Sequence, residues 1–396
     1  MRDPFVLFCA GEDSGDILGE PLVRECVRLG FKVQGVGGQR MQCAGLVPTA
    51  DYEMLPVSGF GDVLPHIFRL KKILSLLASL LRDENCMALV CIDYPGFNMK
   101  LCPMAFAMNK PVLYVAPPQV WAWKKHRARR LKGTKLAVLF DFERRMYESL
   151  GLNADILEHP FLRAMGSDSL DPNALGLQKH DATSQGSGIA LRQDVLLLPG
   201  SRKKQALRNL RFFMAVASRV HALYPERRFV IAASRDKLKT AFEQALASAG
   251  GIPDGFCVEV VPQEARERAA FYARHAAALC MPGSATLELA LSGVSLVAAD
   301  VLDPLTYFMG KHFVKTDYFA LPNVLLKRGE FPEFFFTRRA SLKKKNVKEV
   351  AEALREAFEN PPRSTAGDLV NTFGNSKSAE SLMSEFLREF VERDTH

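Results

Sequence analysis

Residues 277–288 read AALCMPGSATLE, and residues 195–202 read VLLLPGSR. Each stretch begins with an apolar run that suits a strand buried on both faces, continues through a Pro-Gly-Ser turn and leads into a helical pattern. A buried strand followed at once by a glycine turn and a helix is the repeating element of a parallel α/β sheet. The two stretches therefore predict an open parallel sheet covered by helices.

The same alternation of strand and helix continues over most of the chain. Residues 166–193 interrupt it with Gly, Ser, Asp and Pro, which indicates a linker. We therefore predict an α/β protein with two Rossmann-like parallel-sheet domains, residues 1–165 and 194–360, that face each other across a cleft, followed by a helical tail at 361–396. The predicted strands are 5–10, 31–36, 87–92, 111–116, 136–140 and 155–157 in the first half, and 195–198, 229–233, 257–261, 277–281 and 296–299 in the second.

Composition narrows the class of protein. The chain has 396 residues, 24% of them charged, and a formal net charge of +8. This balance is globular, and its mild positive charge favours anionic partners without indicating a nucleic-acid-binding protein.

No apolar run reaches the ~18 residues of a membrane span, so we expect a protein that is soluble or lies on a membrane surface. The eight cysteines form no CxxC pair and the eight histidines no HxH pair, so we expect reduced thiols, a cytoplasmic location and no metal site.

Two turns of the second half have the features of phosphate sites. Gly200 and Gly283 allow close backbone approach where a helix begins, and the helix dipole favours an anion there. Arg202 can clamp a phosphate, and Glu288 suits the dipole or a ribose diol. An ordinary turn with a surface arginine, and a simple helix cap at the second turn, are the alternatives. Because the two phosphate-type turns lie in one domain, the second half is predicted to hold a nucleotide-diphosphate site, whose candidate residues are Gly200, Ser201, Arg202, Gly283, Ser284, Thr286 and Glu288.

Polar residues also follow the strands of the first half. Asp93 comes directly after an apolar run, where a poorly solvated carboxylate is suited to proton abstraction. A helix cap or turn residue is the alternative from spacing alone, and the carboxylates of the first strand–helix turn leave the same choice open. The candidate cleft residues are Glu12, Ser14, Gly15, Asp16 and Asn98.

Two stretches of the first half combine apolar and basic residues. Residues 64–81 place apolar side chains at helical spacing with Arg69, Lys71 and Lys72 on the remaining side, and residues 121–127 read WAWKKHR. Both patterns suit an anionic membrane surface, while packing on the protein's own sheet and a solvated basic face are the alternatives. The candidate membrane-surface residues are Trp121, Trp123, Lys124 and Lys125.

Six segments, taken in order, resemble the lipid-A-disaccharide synthase family, which consists of GT-B glycosyltransferases. The resemblance covers residues 5–165 and 194–337. The segments that carry it are AGEDSGD (10–16), IDYPGFN (92–98), PQVWAW (118–123), LPGSR (198–202), GSATLE (283–288) and KTDYFALPN (315–323).

The resemblance implies a function. It implies an inverting transfer of 2,3-diacylglucosamine from its UDP derivative to the 6-hydroxyl of 2,3-diacylglucosamine 1-phosphate, which releases UDP and forms lipid A disaccharide 1-phosphate. It implies Asp93 as the catalytic base, Glu288 and Asn323 as donor-site residues, and no metal or other cofactor. It further implies a peripheral enzyme on the cytoplasmic face of the inner membrane, with no nucleic-acid partner and with a homodimer left open.

The chain departs from the family at several positions. Gln205 stands where the family usually has a glutamate, Phe336 where it usually has a glutamine, and Glu158 where it usually has a glycine. Two alternatives follow: a GT-B transferase or 2-epimerase acting on an unacylated UDP-GlcNAc-type substrate, and a catalytically silent lipid- or nucleotide-binding protein. Because Asp93 and Arg202 are retained, we expect an active enzyme.

Overall fold

The chain folds into two compact units. A computed structural model describes residues 3–52, 63–118, 129–165, 194–304, 306–308, 317–361 and 365–391. The first unit comprises residues 1–160 and 373–396, and the second comprises residues 161–372. Each unit contains one sheet whose strands are all parallel, which confirms the predicted pair of parallel-sheet α/β domains. In the described part of the chain, no helix combines the length and apolarity that crossing a membrane requires.

The first unit is built on a seven-stranded sheet with the order β3-β2-β1-β4-β5-β6-β7. Its first strand pairs in parallel with both β2 and β4, so that the strand order reverses at this strand. Such a reversal leaves a crevice beyond the carboxyl ends of the two central strands. The strands are β1 (Phe5–Ala10), β2 (Lys32–Val36), β3 (Leu46–Pro48), β4 (Cys86–Ile92), β5 (Val112–Val115), β6 (Lys135–Val138) and β7 (Ala154–Ile156).

The second unit repeats this plan with a six-stranded sheet in the order β10-β9-β8-β11-β12-β13. Here the order reverses between β8 and β11, where Leu198 pairs with Cys280. The strands are β8 (Asp194–Leu198), β9 (Phe229–Ala233), β10 (Phe256–Val260), β11 (His275–Cys280), β12 (Ser295–Leu302) and β13 (Glu333–Thr337).

Helices follow most of the strands and cover the sheets. In the first unit they are α1 (Asp13–Arg28), α2 (Gln39–Cys43), α3 (Val63–Leu81), α4 (Pro95–Ala107), α5 (Asp141–Ser149) and, at the end of the chain, α15 (Ala379–Val391). The short helix α6 (Pro160–Met165) lies where the chain passes into the second unit. The second unit contains α7 (Lys203–His221), α8 (Asp236–Ala247), α9 (Ala265–Ala273), α10 (Ser284–Leu291), α11 (Leu321–Leu326), α12 (Arg338–Ser341), α13 (Lys344–Glu359) and α14 (Thr365–Val370).

Alternate residues of each strand pack on opposite faces of the first sheet. Leu7 of β1 joins the core under α3 and α4, whereas Phe8 joins the core under α1 and α15. Both side chains are completely buried. The apolar runs that predicted two-faced burial are therefore buried on two faces, as parallel strands require.

The last helix belongs to the first unit. Leu382 and Phe386 of α15 are fully buried in the core shared with α1 and β1. The Ser384 hydroxyl donates to the buried Glu25 carboxylate of α1, and Lys377 N donates to Ile156 O of β7 at 2.7 Å. The amphipathic end of the predicted helical tail therefore docks on the protein as α15, a structural helix of the first unit.

All eight cysteines are free thiols. Cys43 is exposed and Cys257 is half-buried, and the others lie inside the two cores. Burial raises the pKa of the Cys9, Cys26, Cys86 and Cys280 thiols because it disfavours the thiolate. Burial raises the pKa of Cys86 to about 11, for example.

Replacing Phe386 by alanine tests the role of α15. We expect Phe386→Ala to lower the free energy of unfolding by about 3–5 kcal/mol, because it leaves a cavity in a core that cannot close around it. The matched control is Phe68→Ala, since Phe68 is 79% exposed on α3 of the same unit. Urea unfolding measures both variants. Equal stability of Phe386→Ala and wild type would show that α15 does not contribute to this core.

Candidate active site

Asp93 lies at the switch point of the first sheet, directly after β4. Its backbone N–H donates to Val115 O of β5 at 2.9 Å. Its side chain is half-buried, and Oδ2 accepts a hydrogen bond from the Ser14 hydroxyl at 3.3 Å. Ser14 belongs to the first turn of α1, which follows the neighbouring strand β1. The reversal of strand order thus brings two of the predicted residues together.

The backbone at Asp93 is strained. Asp93 and Tyr94 both adopt left-handed conformations, with φ of +48° and +47°. A left-handed residue other than glycine costs on the order of 1–3 kcal/mol and persists only where its surroundings hold it. Strain of this kind concentrates at functional sites, so the conformation itself marks this turn as a candidate site.

Two buried side chains hold the strained turn. Asn98 Nδ2 donates to the carbonyl oxygens of Cys9, Ile92 and Asp93 at 3.1, 3.2 and 2.8 Å, and Tyr114 Oη donates to the Asp93 carbonyl at 3.0 Å. Asn98 is fully buried. The structure places this predicted cleft residue where it joins the ends of β1 and β4 beneath Asp93, and a contact with a substrate stays a prediction.

The other predicted residues of the first turn are placed differently. Glu12 is the extended residue before α1, and its carbonyl accepts the Asp16 N–H at 3.0 Å. Gly15 is buried where α1 crosses the sheet, and a Cβ there would lie 3.3 Å from Ala10 Cβ. Gly15 thus allows the helix to lie close to β1.

Asp16 is a buried capping residue. Its carboxylate accepts the N–H groups of Arg40 and Met41 at 3.0 and 3.1 Å, at the start of α2. Burial raises the pKa of Asp16, although these amide hydrogen bonds act in the opposite direction. Both carboxylate oxygens therefore serve the second strand–helix turn of the sheet.

In the second unit the two phosphate-type turns lie side by side at the switch point between β8 and β11. Met281 N, just before the second turn, donates to Leu198 O, just before the first, at 2.9 Å. Gly200 has φ +125°, and a Cβ there would lie 2.9 Å from Met281 Sδ, so both its conformation and its space require glycine. We call residues 199–202 the first donor turn and residues 282–285 the second donor turn.

Polar groups of both donor turns are exposed. Ser201 and Arg202 are exposed at the start of α7, and Arg202 occupies its N-cap position. Ser284 is exposed at the start of α10. Since the first N–H groups of a helix have no partner within it, the starts of α7 and α10 can both donate to an anion. Gly283 is extended, with φ 168°, a conformation open to any residue.

Thr286 and Glu288 lie deeper in α10. The Thr286 hydroxyl donates to Gly283 O at 2.6 Å, and the side chain is fully buried. The Glu288 carboxylate forms a bidentate ion pair with Arg268 of α9, at 2.7 and 3.2 Å. Burial raises the pKa of Glu288, and the pairing with Arg268 opposes that rise. Thr286 therefore closes the second donor turn, and Glu288 joins α10 to α9.

Asn323 is also a buried organising residue. Its amide nitrogen donates to Phe331 O and to Glu333 Oε1, both at 2.7 Å, and its oxygen accepts the Phe331 N–H at 3.0 Å. The side chain is fully buried. As placed, it fixes the loop between α11 and β13.

Two of the departures from the family have structural partners in the second unit. Gln205 Nε2 donates to Asp300 Oδ2 at 3.0 Å. Phe336 packs edge to face on Phe212 with ring centroids 5.5 Å apart, against the core of the unit. In the first unit, Glu158 N donates to Lys377 O at 2.9 Å and so joins the segment that leads to α15.

Some predicted elements lie outside the described residues. They include the linker at 166–193 and residues 315 and 316 of the KTDY segment. The four candidate membrane-surface residues, Trp121, Trp123, Lys124 and Lys125, lie outside them as well.

Comparison with known proteins identifies the family. The profile of the family described as lipid-A-disaccharide synthetase matches residues 6–384. The chain belongs to this family. A lipid-A-disaccharide synthase of Anaeromyxobacter dehalogenans is 31% identical over 338 residues, which cover 83% of this chain and 82% of that protein. One of Nitrosococcus oceani is 30% identical over 334 residues, with the same coverage of 83% and 82%. The resemblance predicted from the six segments is thus confirmed.

Solved structures agree on the fold. A UDP-GlcNAc 2-epimerase from Neisseria meningitidis, bound to UDP-GlcNAc, superposes with a TM-score of 0.60 at 12% identity. The superposition covers 97% of this chain and 99% of that chain. This likeness and the two parallel sheets show that the lipid-A-disaccharide synthase family member described here has the GT-B fold.

Several buried residues that hold the turns of the candidate site were not predicted from the sequence. Asp300 follows the apolar strand residues 295–299 as Asp93 follows its own strand, so the same signal could have found it. No such signal marks Tyr114 or Arg268. A tyrosine in an apolar strand is typical of a core residue, and an arginine in a charged helix is typical of a surface residue.

The ion pair beneath the second donor turn gives a pH-dependent prediction. Arg268→Met leaves the buried Glu288 carboxylate without its partner, which we expect to cost about 3–5 kcal/mol of folding free energy near neutral pH. Without the arginine the pKa of Glu288 rises further in the folded state, so the folded protein binds the proton more tightly than the unfolded chain. The loss of stability should therefore shrink as the pH falls.

Urea unfolding at several pH values measures this effect. Adding Glu288→Gln to Arg268→Met removes the buried charge and should restore part of the stability at neutral pH while abolishing the pH dependence. A loss that stays constant from acidic to neutral pH would contradict the assignment.

Proposed function

We propose that this protein catalyses lipid A disaccharide synthesis. It transfers 2,3-diacylglucosamine from its UDP derivative to the 6-hydroxyl of 2,3-diacylglucosamine 1-phosphate and releases UDP. The observation that carries the proposal is the match of residues 6–384 to the family, together with Asp93 and Arg202 retained at the switch points of their own sheets. The activity of the named relatives supports the choice of substrates.

In the proposed step Asp93 is the general base. The acceptor 6-hydroxyl attacks C1 of the donor sugar and gives its proton to the Asp93 carboxylate. The bond between C1 and the β-phosphate oxygen breaks, and UDP leaves with the electron pair. A single displacement inverts the anomeric centre and forms a β linkage. A correctly placed base contributes ~10²–10⁴-fold to such a rate. Ser14, which donates to Asp93 Oδ2, orients the carboxylate.

The donor turns stabilise the leaving group in this proposal. Negative charge collects on UDP as the glycosidic bond breaks. Arg202 and the N–H groups at the starts of α7 and α10 supply fixed positive charge for the diphosphate, and fixed donors of this kind lower the barrier because they need no reorganisation. The buried partners Thr286, Glu288 and Asn323 hold the surrounding backbone.

Product analysis tests the reaction itself. Purified protein is incubated in detergent with UDP-2,3-diacylglucosamine and 2,3-diacylglucosamine 1-phosphate, and mass spectrometry should detect the disaccharide 1-phosphate together with released UDP. Turnover of unacylated UDP-GlcNAc in place of the acylated donor would favour the transferase or 2-epimerase alternative. Binding of UDP by folded protein without any product from either donor would favour the silent binding protein.

Two substitutions distinguish the role of Asp93 as the base from the role of the donor turns in binding UDP. Asp93→Asn should lower kcat by at least ~100-fold while the affinity for UDP stays the same, because only the proton acceptor is lost. Arg202→Ala should instead weaken the affinity for UDP, since it removes a charged contact to phosphate. Initial rates and isothermal titration calorimetry with UDP measure the two effects. Near-normal turnover of Asp93→Asn would exclude this residue as the base.

We further propose that α3 contacts the membrane surface. Its inner face packs Ile73 and Leu77 into the core of the first unit. On the outer face Phe68 is 79% and Leu76 39% exposed, and they flank the exposed Lys72 at intervals of four residues. Apolar side chains beside cations suit an interface of anionic headgroups, where acylated substrates reside. This arrangement supports a peripheral enzyme on the cytoplasmic face of the inner membrane.

Vesicle binding tests the role of α3. The double variant Phe68→Ser/Leu76→Ser should sediment less with phosphatidylglycerol-containing vesicles than wild type, while its activity on detergent-solubilised substrates persists. The control is Leu223→Ser, which removes an apolar side chain that is 69% exposed in the second unit. Equal binding by the α3 variant and the control would exclude this face.

A further inference from the structure

Three side chains form a buried polar network beneath the first donor turn. Asp300, at the carboxyl end of β12, is only 6% exposed. Its Oδ2 accepts from Gln205 Nε2 and its Oδ1 from Asn209 Nδ2, both at 3.0 Å. Gln205 and Asn209 lie one turn apart on the buried side of α7. The carboxylate therefore has a donor on each oxygen.

The network reaches the donor turn through Asn209. The second N–H of its amide donates to Pro199 O at 2.9 Å, directly before Gly200, and its oxygen accepts the Val301 N–H at 2.8 Å. Asn209 is fully buried, so its amide has no water to replace these partners. Gln205 itself lies in the first helical turn after Arg202. Asp300 is thus connected to Pro199 through Asn209, and to the first turn of α7 through Gln205.

An ionised carboxylate only accepts hydrogen bonds, so both of its neighbours must donate. The glutamine at 205 meets this requirement. A glutamate in its place would put a second carboxylate within about 3 Å of Asp300, where two negative charges cannot both persist. The residue that departs from the family is thus the one that the neighbouring carboxylate demands.

We propose that Asp300 is a positioning residue for the donor site, acting through Asn209 on the backbone of the first donor turn. Gln205 is the neutral partner that allows this carboxylate to remain ionised. The inference rests on the proposed UDP site, since it names what holds one of its turns. Neither residue contacts the reacting atoms.

The surroundings of Asp300 set its response to pH. Burial raises the pKa of Asp300, while the two amides, the Val301 N–H and the positive charge of Arg208 on α7 lower it. In the register of the sheet its neighbour on β13 is Phe335, which carries no charge. A second carboxylate at 205 would share one proton with Asp300, and this proton would bind more readily as the pH falls.

Exchanging the amide at position 205 and the carboxylate at position 300 tests the proposal in the full-length protein. Gln205→Glu should weaken the affinity for UDP by about tenfold at neutral pH, with recovery on acidification as the pair takes up its shared proton. Asp300→Asn should also weaken it, because an NH2 group, itself a donor, replaces one of the two oxygens that accept from Gln205 and Asn209, and the negative charge is lost. The double variant Gln205→Glu/Asp300→Asn restores one acceptor and one donor to the contact, and its affinity should return close to that of wild type at neutral pH.

Calorimetry with UDP between about pH 5.5 and 8 measures these affinities, in a range where an ordinary glutamate stays ionised. The control is Gln244→Glu, which adds the same charge at an exposed position of α8 in the same unit. A purely structural role would lower stability without a pH-dependent affinity or rescue by the double variant. Unchanged affinity of Gln205→Glu, or losses in the two single variants that simply add in the double variant, would overturn the proposal.

Urea unfolding without ligand separates this inference from the proposed function. Each single variant should lower the unfolding midpoint, and the double variant should regain it, whether or not UDP is the natural ligand. If wild type failed to bind UDP, the proposed function would be wrong. The unfolding midpoints of the single and double variants would still show whether positions 205 and 300 are coupled. Additive midpoints in a protein that binds UDP would overturn the inference and leave the proposed function intact.

Discussion

The parallel pairing of β1 with β4, and of β8 with β11, fixes where chemistry can occur in each unit. The helices that follow the two strands of each pair pack on opposite faces of the sheet, so the turns between strand and helix separate and leave a crevice at the carboxyl ends. Asp93 stands in one crevice and the two donor turns stand in the other. The positions of the candidate site residues in both units depend on this one topological constraint.

Polar groups that are buried beneath such crevices need hydrogen-bond partners from the protein in place of water. The structure meets this demand by giving each buried carboxylate its own donors. Asp16 receives two amide N–H groups, Glu288 receives an arginine, and Asp300 receives two side-chain amides. Leaving any of these charges without a partner would cost several kcal/mol. The conformations of the turns are therefore determined by buried pairs, while Ser201, Arg202 and Ser284 lie exposed at the starts of α7 and α10.

The sequence predicted the plan of two parallel sheets, but not the partners of individual side chains. Apolar runs followed by turns are local signals, and they located eleven of the thirteen strands among the described residues but missed β3 and β13. Whether a polar side chain in a turn points to a ligand or into the protein depends on partners far away in sequence. Asn98 bonds to Cys9, and Glu288 to Arg268, and no local pattern could pair them. Asp16 and Asn323 were likewise predicted at the site and are buried connectors.

The return of α15 to the first unit has a consequence for synthesis. The second unit, residues 161–372, is one uninterrupted stretch, and domains generally fold as units during synthesis. The first unit completes its core only with Leu382 and Phe386, which follow the whole second unit in the sequence. During translation, the core around β1 and α1 therefore stays incomplete until the second unit, more than two hundred residues, has been made. Until then, the apolar surface that α15 covers is exposed to solvent and to chaperones.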